Sequence, residues 1–200
     1  MVILGLTGTI GSGKSTVARM FQELAGAIVI DADSIAHEVQ EPGGAAYEAI
    51  LNAFGKEVLL PDGRISRAKL GELVFRDPKK RTVLNEIIHP RVRERELELL
   101  EKYREHPLVI LMVPLLFENQ MESLVDKVVV VATDDAIRRE RLKARSGWDD
   151  EEISRRLAAQ LSDDEKVRRA DYVIWNSGSM QETQSQVEAL LKELGFLQTT

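Results

Sequence analysis

Gly8-Thr9-Ile10-Gly11-Ser12-Gly13-Lys14-Ser15 fits G-x-x-x-x-G-K-[ST], the phosphate-binding loop that joins a strand to a helix. The residues before it, Val2-Ile3-Leu4-Gly5-Leu6, form an apolar β-rich run, and Thr16 to Leu24 carry a helical pattern. Strand, loop and helix in that order are the context the motif requires. Glycines let the backbone close around a phosphate with no Cβ in the way. Successive N–H groups then point inward as a nest, and the helix N-terminus adds partial positive charge. Gly8, Thr9, Ile10, Gly11, Ser12, Gly13, Lys14, Ser15 and Thr16 are the expected triphosphate contacts. Lys14 is expected on the β- and γ-phosphates and the Ser15 hydroxyl on Mg²⁺. The expected ligand is a nucleoside triphosphate with magnesium.

Four more β-rich runs follow Val2–Leu6: Ala27–Ile30, Leu108–Val113, Lys127–Ala132 and Tyr172–Trp175. Near-continuous Val, Ile and Leu without alternation predicts strands buried on both faces, as in a parallel sheet. Helical patterns separate the runs, so the expected class is α/β, a doubly wound five-stranded sheet of the P-loop NTPase kind. The stretch between the second and third runs is far longer than one crossover needs. It contains Pro42-Gly43-Gly44, a helical Ala46–Phe54, a Pro61-Asp62-Gly63 turn and helical stretches from Ser66 to Arg104. Asp77-Pro78 reads as a cap and a first-turn proline, and His89-Pro90 is expected to bend or break its helix. The expected organisation is one domain over 1–200: a nucleotide core (1–33, 108–133, 161–200), a substrate-binding insertion (34–107) and a lid (134–160). Ser179 and Glu182 form a capping-box pattern. Val187, Leu190, Leu191 and Leu194 then mark one apolar face of a last helix, ended by Gly195.

Composition narrows the function. The 200 residues include 27 Lys and Arg against 33 Asp and Glu, a net charge of −6. An acidic chain is a poor candidate for general nucleic-acid binding, which rests on a basic surface. There is no cysteine, which excludes disulfides, thiolate metal sites and cysteine nucleophiles. With the first strand read from Val2, no signal peptide is expected, and no apolar stretch is long enough to span a bilayer. A cytoplasmic location, no membrane partner, and a monomer or weak homo-oligomer are expected.

Asp31 and Asp33 follow the second run. Two residues apart in an extended chain, their carboxylates would point the same way, at the strand end where ligands gather in open α/β sheets. Asp33 is the expected base for an attacking hydroxyl and an expected Mg²⁺ ligand; Asp31 more plausibly supports the loop. The alternative is that one or both cap the helix beginning near Ser34. The third run ends Val113-Pro114-Leu115-Leu116-Phe117-Glu118, without the aspartate that many phosphate-loop enzymes place there. Either Asp33 takes the metal contact or Glu118 reaches back. Arg138, Arg141 and Arg145 fall at i, i+3 and i+7 on one helical face, either closing over phosphates as a lid or paired with neighbouring acids. Asn176-Ser177-Gly178 is a turn after the last run that could meet a purine or simply end the strand.

Together these residues resemble the dephospho-coenzyme A kinase family, within the nucleoside-monophosphate-kinase-like group. The resemblance runs in order through G-L-T-G-T-I-G-S-G-K-S (Gly5 to Ser15), D-A-D-S-I-A-H-E-V (Asp31 to Val39), E-P-G (Glu41 to Gly43) and F-G (Phe54, Gly55). It continues through D-G-R-I-S-R (Asp62 to Arg67), I-I-H-P (Ile87 to Pro90), V-P-L-L-F-E (Val113 to Glu118), R-L-K-A-R (Arg141 to Arg145) and A-A-Q (Ala158 to Gln160). It implies ATP- and Mg²⁺-dependent phosphorylation of the ribose 3′-hydroxyl of dephospho-coenzyme A, the last step of coenzyme A biosynthesis. It implies Asp33 as base, Lys14 and Arg141 as phosphate clamps, Arg145 beside them, and His89 and Leu115, with Asp33 and Glu118, at the acceptor. Asn176 and Gly178 would lie near the adenine. One departure is Thr9, where the family usually has a second glycine.

Shikimate- and gluconate-type kinases are the rival, since they too pair a phosphate loop with acids after the second strand. The long insertion, His89-Pro90 and Pro114-Leu115-Leu116 argue against them. A GTPase-type switch lacks support, because there is no N-K-x-D and no D-x-x-G after the third run.

Overall fold

The five apolar runs become strands β1 (Val2–Thr7), β2 (Ile28–Asp31), β3 (Leu108–Met112), β4 (Lys127–Ala132) and β5 (Tyr172–Trp175) in a computed structural model that describes residues 1–198. Among the described residues they form one parallel sheet in the order β2-β3-β1-β4-β5. All five residues of β3 are buried, as are Val128 to Ala132 of β4. Helices cover both faces there, which is why those runs show no alternation. β1 is central, with Leu4 opposite Ile110 of β3 and Leu6 opposite Val129 of β4. The chain passes to one side of β1 for β2 and β3 and to the other for β4 and β5. The loop after β1 therefore leaves the sheet at its topological switch point.

Two compact units divide the chain: Met1–Ile30 with the chain from Tyr103 onward, and Asp31–Lys102. In the first, helix α1 (Lys14–Ala25) packs beside the C-terminal helix, named α9 below, over Leu4, Leu6, Ile110 and Val129. The remaining helices of this unit are α6 (Asp135–Ser146), α7 (Asp150–Ala158), α8 (Asp163–Arg169) and α9 (Met180–Glu193). The capping box opening α9 is complete: Ser179 Oγ accepts from Glu182 N–H, and Glu182 Oε2 accepts from Ser179 N–H. The edge of β5 is closed by one side chain. Gln186 Oε1 accepts from Trp175 N–H and its Nε2 donates to Trp175 O, both at 2.8 Å. An amide that imitates a neighbouring strand removes a site for edge pairing.

The second unit holds α2 (Ala32–Glu38), α3 (Tyr47–Phe54), α4 (Arg67–Arg76) and α5 (Pro78–Lys102), around buried Ile35, Ile50, Phe54, Leu70 and Leu100. The Pro61-Asp62-Gly63 turn joins an antiparallel bridge between Leu59 and Ile65. Asp77 Oδ1 accepts from Lys79 N–H at 2.9 Å as Pro78 opens α5. His89-Pro90 does not break that helix: α5 runs unbroken through Pro90 for 25 residues. Proline removes one intrahelical bond, but α5 packs against α2, α3 and α4, and tertiary packing contributes more to helix stability than one bond.

Candidate active site

Gly13 precedes α1 in the left-handed region, at φ 92°. A Cβ there would collide with Asn176 Nδ2. Glycine is required for both reasons. Asn176 is 4% exposed. Its Nδ2 donates to Ser12 O at 2.8 Å and its Oδ1 accepts from Thr183 Oγ1 at 3.1 Å. The Asn176 side-chain amide thus braces the phosphate loop. Gly178, beyond it, is exposed. Lys14 Nζ lies back across the loop, donating to Gly8 O at 2.8 Å and Thr9 O at 3.2 Å. Ser15 is exposed in the first turn of α1, followed by half-buried Thr16. Ser12 Oγ is buried without a hydrogen-bond partner among the described residues.

The other wall of the loop comes from α6 and the α7–α8 connection. Gly11 lies so close to α6 that a Cβ on it would sit 2.9 Å from Leu142 and 3.0 Å from the Arg138 stem. The three arginines expected on one face separate in the structure. Arg138 is buried, paired with Asp163 and, at 3.3 Å, with Asp135, and it donates to Thr133 O at 2.9 Å. Burial lowers its pKa, against the pull of Asp135. It is a structural cation, in keeping with the alternative of pairing with neighbouring acids. Arg141 is half-buried, its Nη1 3.5 Å from Thr133 Oγ1 and 3.9 Å from where a Gly13 Cβ would stand. Arg145 is exposed. Between α6 and α7, the Arg156 guanidinium lies 4.0 Å over the Trp148 ring.

Past β3, Pro114 O accepts from Thr7 Oγ1 at 3.1 Å and Lys166 Nζ at 3.0 Å. Lys166 is fully buried and pairs with Glu118 Oε1 at 3.0 Å. Leu161 N–H donates to the same oxygen at 2.8 Å, while Oε2 has no hydrogen-bond partner among the described residues. Burial pushes the Glu118 carboxyl up, but the bonds from Leu161 and Lys166 outweigh it and the net shift is down. Burial also pulls Lys166 down, more than Glu118 holds it up. Leu115 is half-buried beside them. Glu118 was singled out in the sequence, but its buried partner was not legible: Lys166 stands in D-D-E-K-V-R-R, which reads as a solvated helix.

In the second unit, Asp31 is the N-cap of α2, accepting Asp33 N–H at 3.0 Å and Ser34 Oγ–H at 2.9 Å. The helix begins at Ala32, so the two aspartates are not successive residues of an extended chain. Asp33 is exposed in the first turn, where a carboxylate is favoured by the helix dipole. His89 is exposed on α5. Among the described residues, no three His, Cys, Asp or Glu stand together as a metal cage. The hydroxyl of Ser15, in the first unit, and the carboxylate of Asp33, in the second, are each a hard oxygen donor of the kind Mg²⁺ accepts beside waters and phosphates. No helix among the described residues is long and apolar enough to cross a membrane.

The family described as Dephospho-CoA kinase matches residues 2–182. A dephospho-CoA kinase of Bacillus cereus is 49% identical over 198 residues, covering 98% of both chains. A solved structure from Thermus thermophilus superposes with a TM-score of 0.82 at 38% identity, over 96% of this chain and 97% of that one. The dephospho-CoA kinase of Campylobacter jejuni gives 0.73 at 28% identity, over 96% of each. These matches do not favour the shikimate- and gluconate-type rival. With a braced phosphate loop at the end of the central strand and a match over nearly its whole length, the chain belongs to the dephospho-CoA kinase family.

Proposed function

We propose that this enzyme transfers the γ-phosphoryl group of ATP to the ribose 3′-hydroxyl of dephospho-coenzyme A, giving coenzyme A and ADP. The observation that carries the reading is the Gly8–Ser15 loop, braced by Asn176, in a chain that matches the family over residues 2–182. Lys14 Nζ, which donates to the loop's own carbonyls, exchanges those bonds for the β- and γ-phosphates. Asp33 orients the 3′-hydroxyl and takes its proton as the oxygen attacks the γ-phosphorus and ADP departs. Arg141, and Arg145 from the lid over 134–160, offset charge on the transferring group. His89 and Leu115 line the acceptor, and Asn176 and Gly178 border the adenine. Glu118, whose Oε1 is held by Lys166 and Leu161, contributes to the acceptor site. Mg²⁺, when bound with the nucleotide and held by Ser15 and Asp33, neutralises phosphate charge. Positioning and electrostatics supply most of the catalysis in such transfers.

The test incubates the protein with MgATP and dephospho-coenzyme A and identifies the product by mass. Acceptor-dependent ADP release with one phosphate added at the 3′ position is expected. ATP binding without turnover on this acceptor would overturn the reading.

A further inference from the structure

Thr9, the residue after the first glycine of the phosphate loop, is 2% exposed. Its Oγ1 donates to Asp163 Oδ1 at 2.8 Å, across 154 residues of chain. The other oxygen of that carboxylate pairs with Arg138 Nη2, the buried cation of α6. One carboxylate thus joins the loop to the helix that packs over it. The next residue is held from the same segment, for Ile10 N–H donates to Gln160 Oε1 at 3.0 Å. Thr9 is not among the residues with positive φ, so the backbone does not demand glycine there and the hydroxyl is accommodated without strain.

We propose that Thr9 and Asp163 are positioning residues that hold the phosphate loop in register with α6, so that nucleotide affinity depends on the bond between them. Lys14 must release Gly8 O and Thr9 O to reach a triphosphate. At that moment the loop loses its internal clamp. The Thr9 hydroxyl and the Ile10 amide, anchored from the α7–α8 connection, keep the nest in shape. A loop held in its binding conformation loses less freedom on binding. The proposal rests on reading Gly8–Ser15 as the nucleotide site.

The test compares the intact wild-type chain with Thr9→Val, Thr9→Ser, Asp163→Asn and the double variant Thr9→Val/Asp163→Asn. It reads ADP affinity by calorimetry, and kcat and both KM values by steady-state kinetics. Thr9→Val is expected to weaken ADP binding and raise the KM for ATP about tenfold or more, the worth of one hydrogen bond to a charged partner. The KM for dephospho-coenzyme A should not move. Thr9→Ser should recover wild-type affinity to within about twofold, and the double variant should be no weaker than the worse single one. Wild-type ADP affinity in Thr9→Val overturns the proposal, as does a Thr9→Ser variant as impaired as Thr9→Val. An equal rise in both KM values overturns it too, by pointing to general damage. A wild-type chain that binds no ADP would remove the reading of the loop itself.

Discussion

The carboxylate of Asp31 accepts the backbone N–H of Asp33 at 3.0 Å, so one aspartate fixes the turn that carries the other. The second oxygen of Asp31 accepts the Ser34 hydroxyl at 2.9 Å. The Asp31 carboxylate therefore builds the helix start, and Asp33, exposed in the first turn of α2, is the one proposed for chemistry.

That division predicts unequal effects. Asp33→Asn should lower kcat by about 10²-fold or more while leaving ATP affinity near wild type. Asp31→Ala should remove a helix cap, destabilising the fold by about 1 kcal/mol, with a smaller loss of kcat. Steady-state kinetics beside ATP calorimetry and urea unfolding separate the two. Near-normal turnover in Asp33→Asn would take Asp33 out of the mechanism.

Arg141 and Arg138, three residues apart, should fail in different ways. Arg141→Ala is expected to reduce kcat more than it raises the acceptor KM, the pattern for a contact made in the transition state. Arg138→Ala leaves Asp163 without its buried partner and should cost about 3 kcal/mol of stability. Kinetics decide the first and thermal unfolding the second. An unchanged kcat would take Arg141 out of the proposed mechanism.

The Glu118–Lys166 pair joins the end of β3 to α8. Lys166→Met strands a half-buried carboxylate and should destabilise by about 3 kcal/mol; a Glu118→Leu/Lys166→Met double variant should recover much of it. Because the folded-state pKa of Glu118 is lowered, its contribution is present above the unfolded value and lost as pH falls through the folded one. Glu118→Gln should therefore flatten the acid limb of a stability profile taken by urea titration.

Glu96, on α5, gives the opposite slope. It is 1% exposed, and burial raises its carboxyl from 4.5 to about 7, against the pull of Arg93. Between those values the unfolded chain releases the proton and the folded chain keeps it. Stability contributed by the neutral carboxyl is thus complete below 4.5 and declines as pH rises to about 7. Glu96→Gln should remove that decline and be more stable at pH 8 by on the order of 3 kcal/mol. Parallel pH profiles of the two proteins would lose their meaning for Glu96 only if the decline survived the substitution.

Signals confined to a few neighbouring residues were legible in the chain. Gly8 to Ser15 carry the nest in their own spacing. The five strands showed in runs that burial on both faces leaves unbroken, and the last helix showed in Ser179, Glu182 and the Val187–Leu191 face. Those patterns settle the α/β class and the phosphate loop because they depend on backbone geometry over one turn or one strand. The rest depended on partners remote in sequence. Asn176 to Ser12 spans 164 residues and Thr9 to Asp163 spans 154. Burial turned Arg138 and Lys166 from apparent surface charges into paired interior ones, and packing carried α5 through Pro90. Sequence by itself determined the kind of loop and sheet, since those are written in local spacing. Tertiary structure alone decided which polar side chains hold that loop, since desolvation and hydrogen-bond partners exist only once distant segments meet.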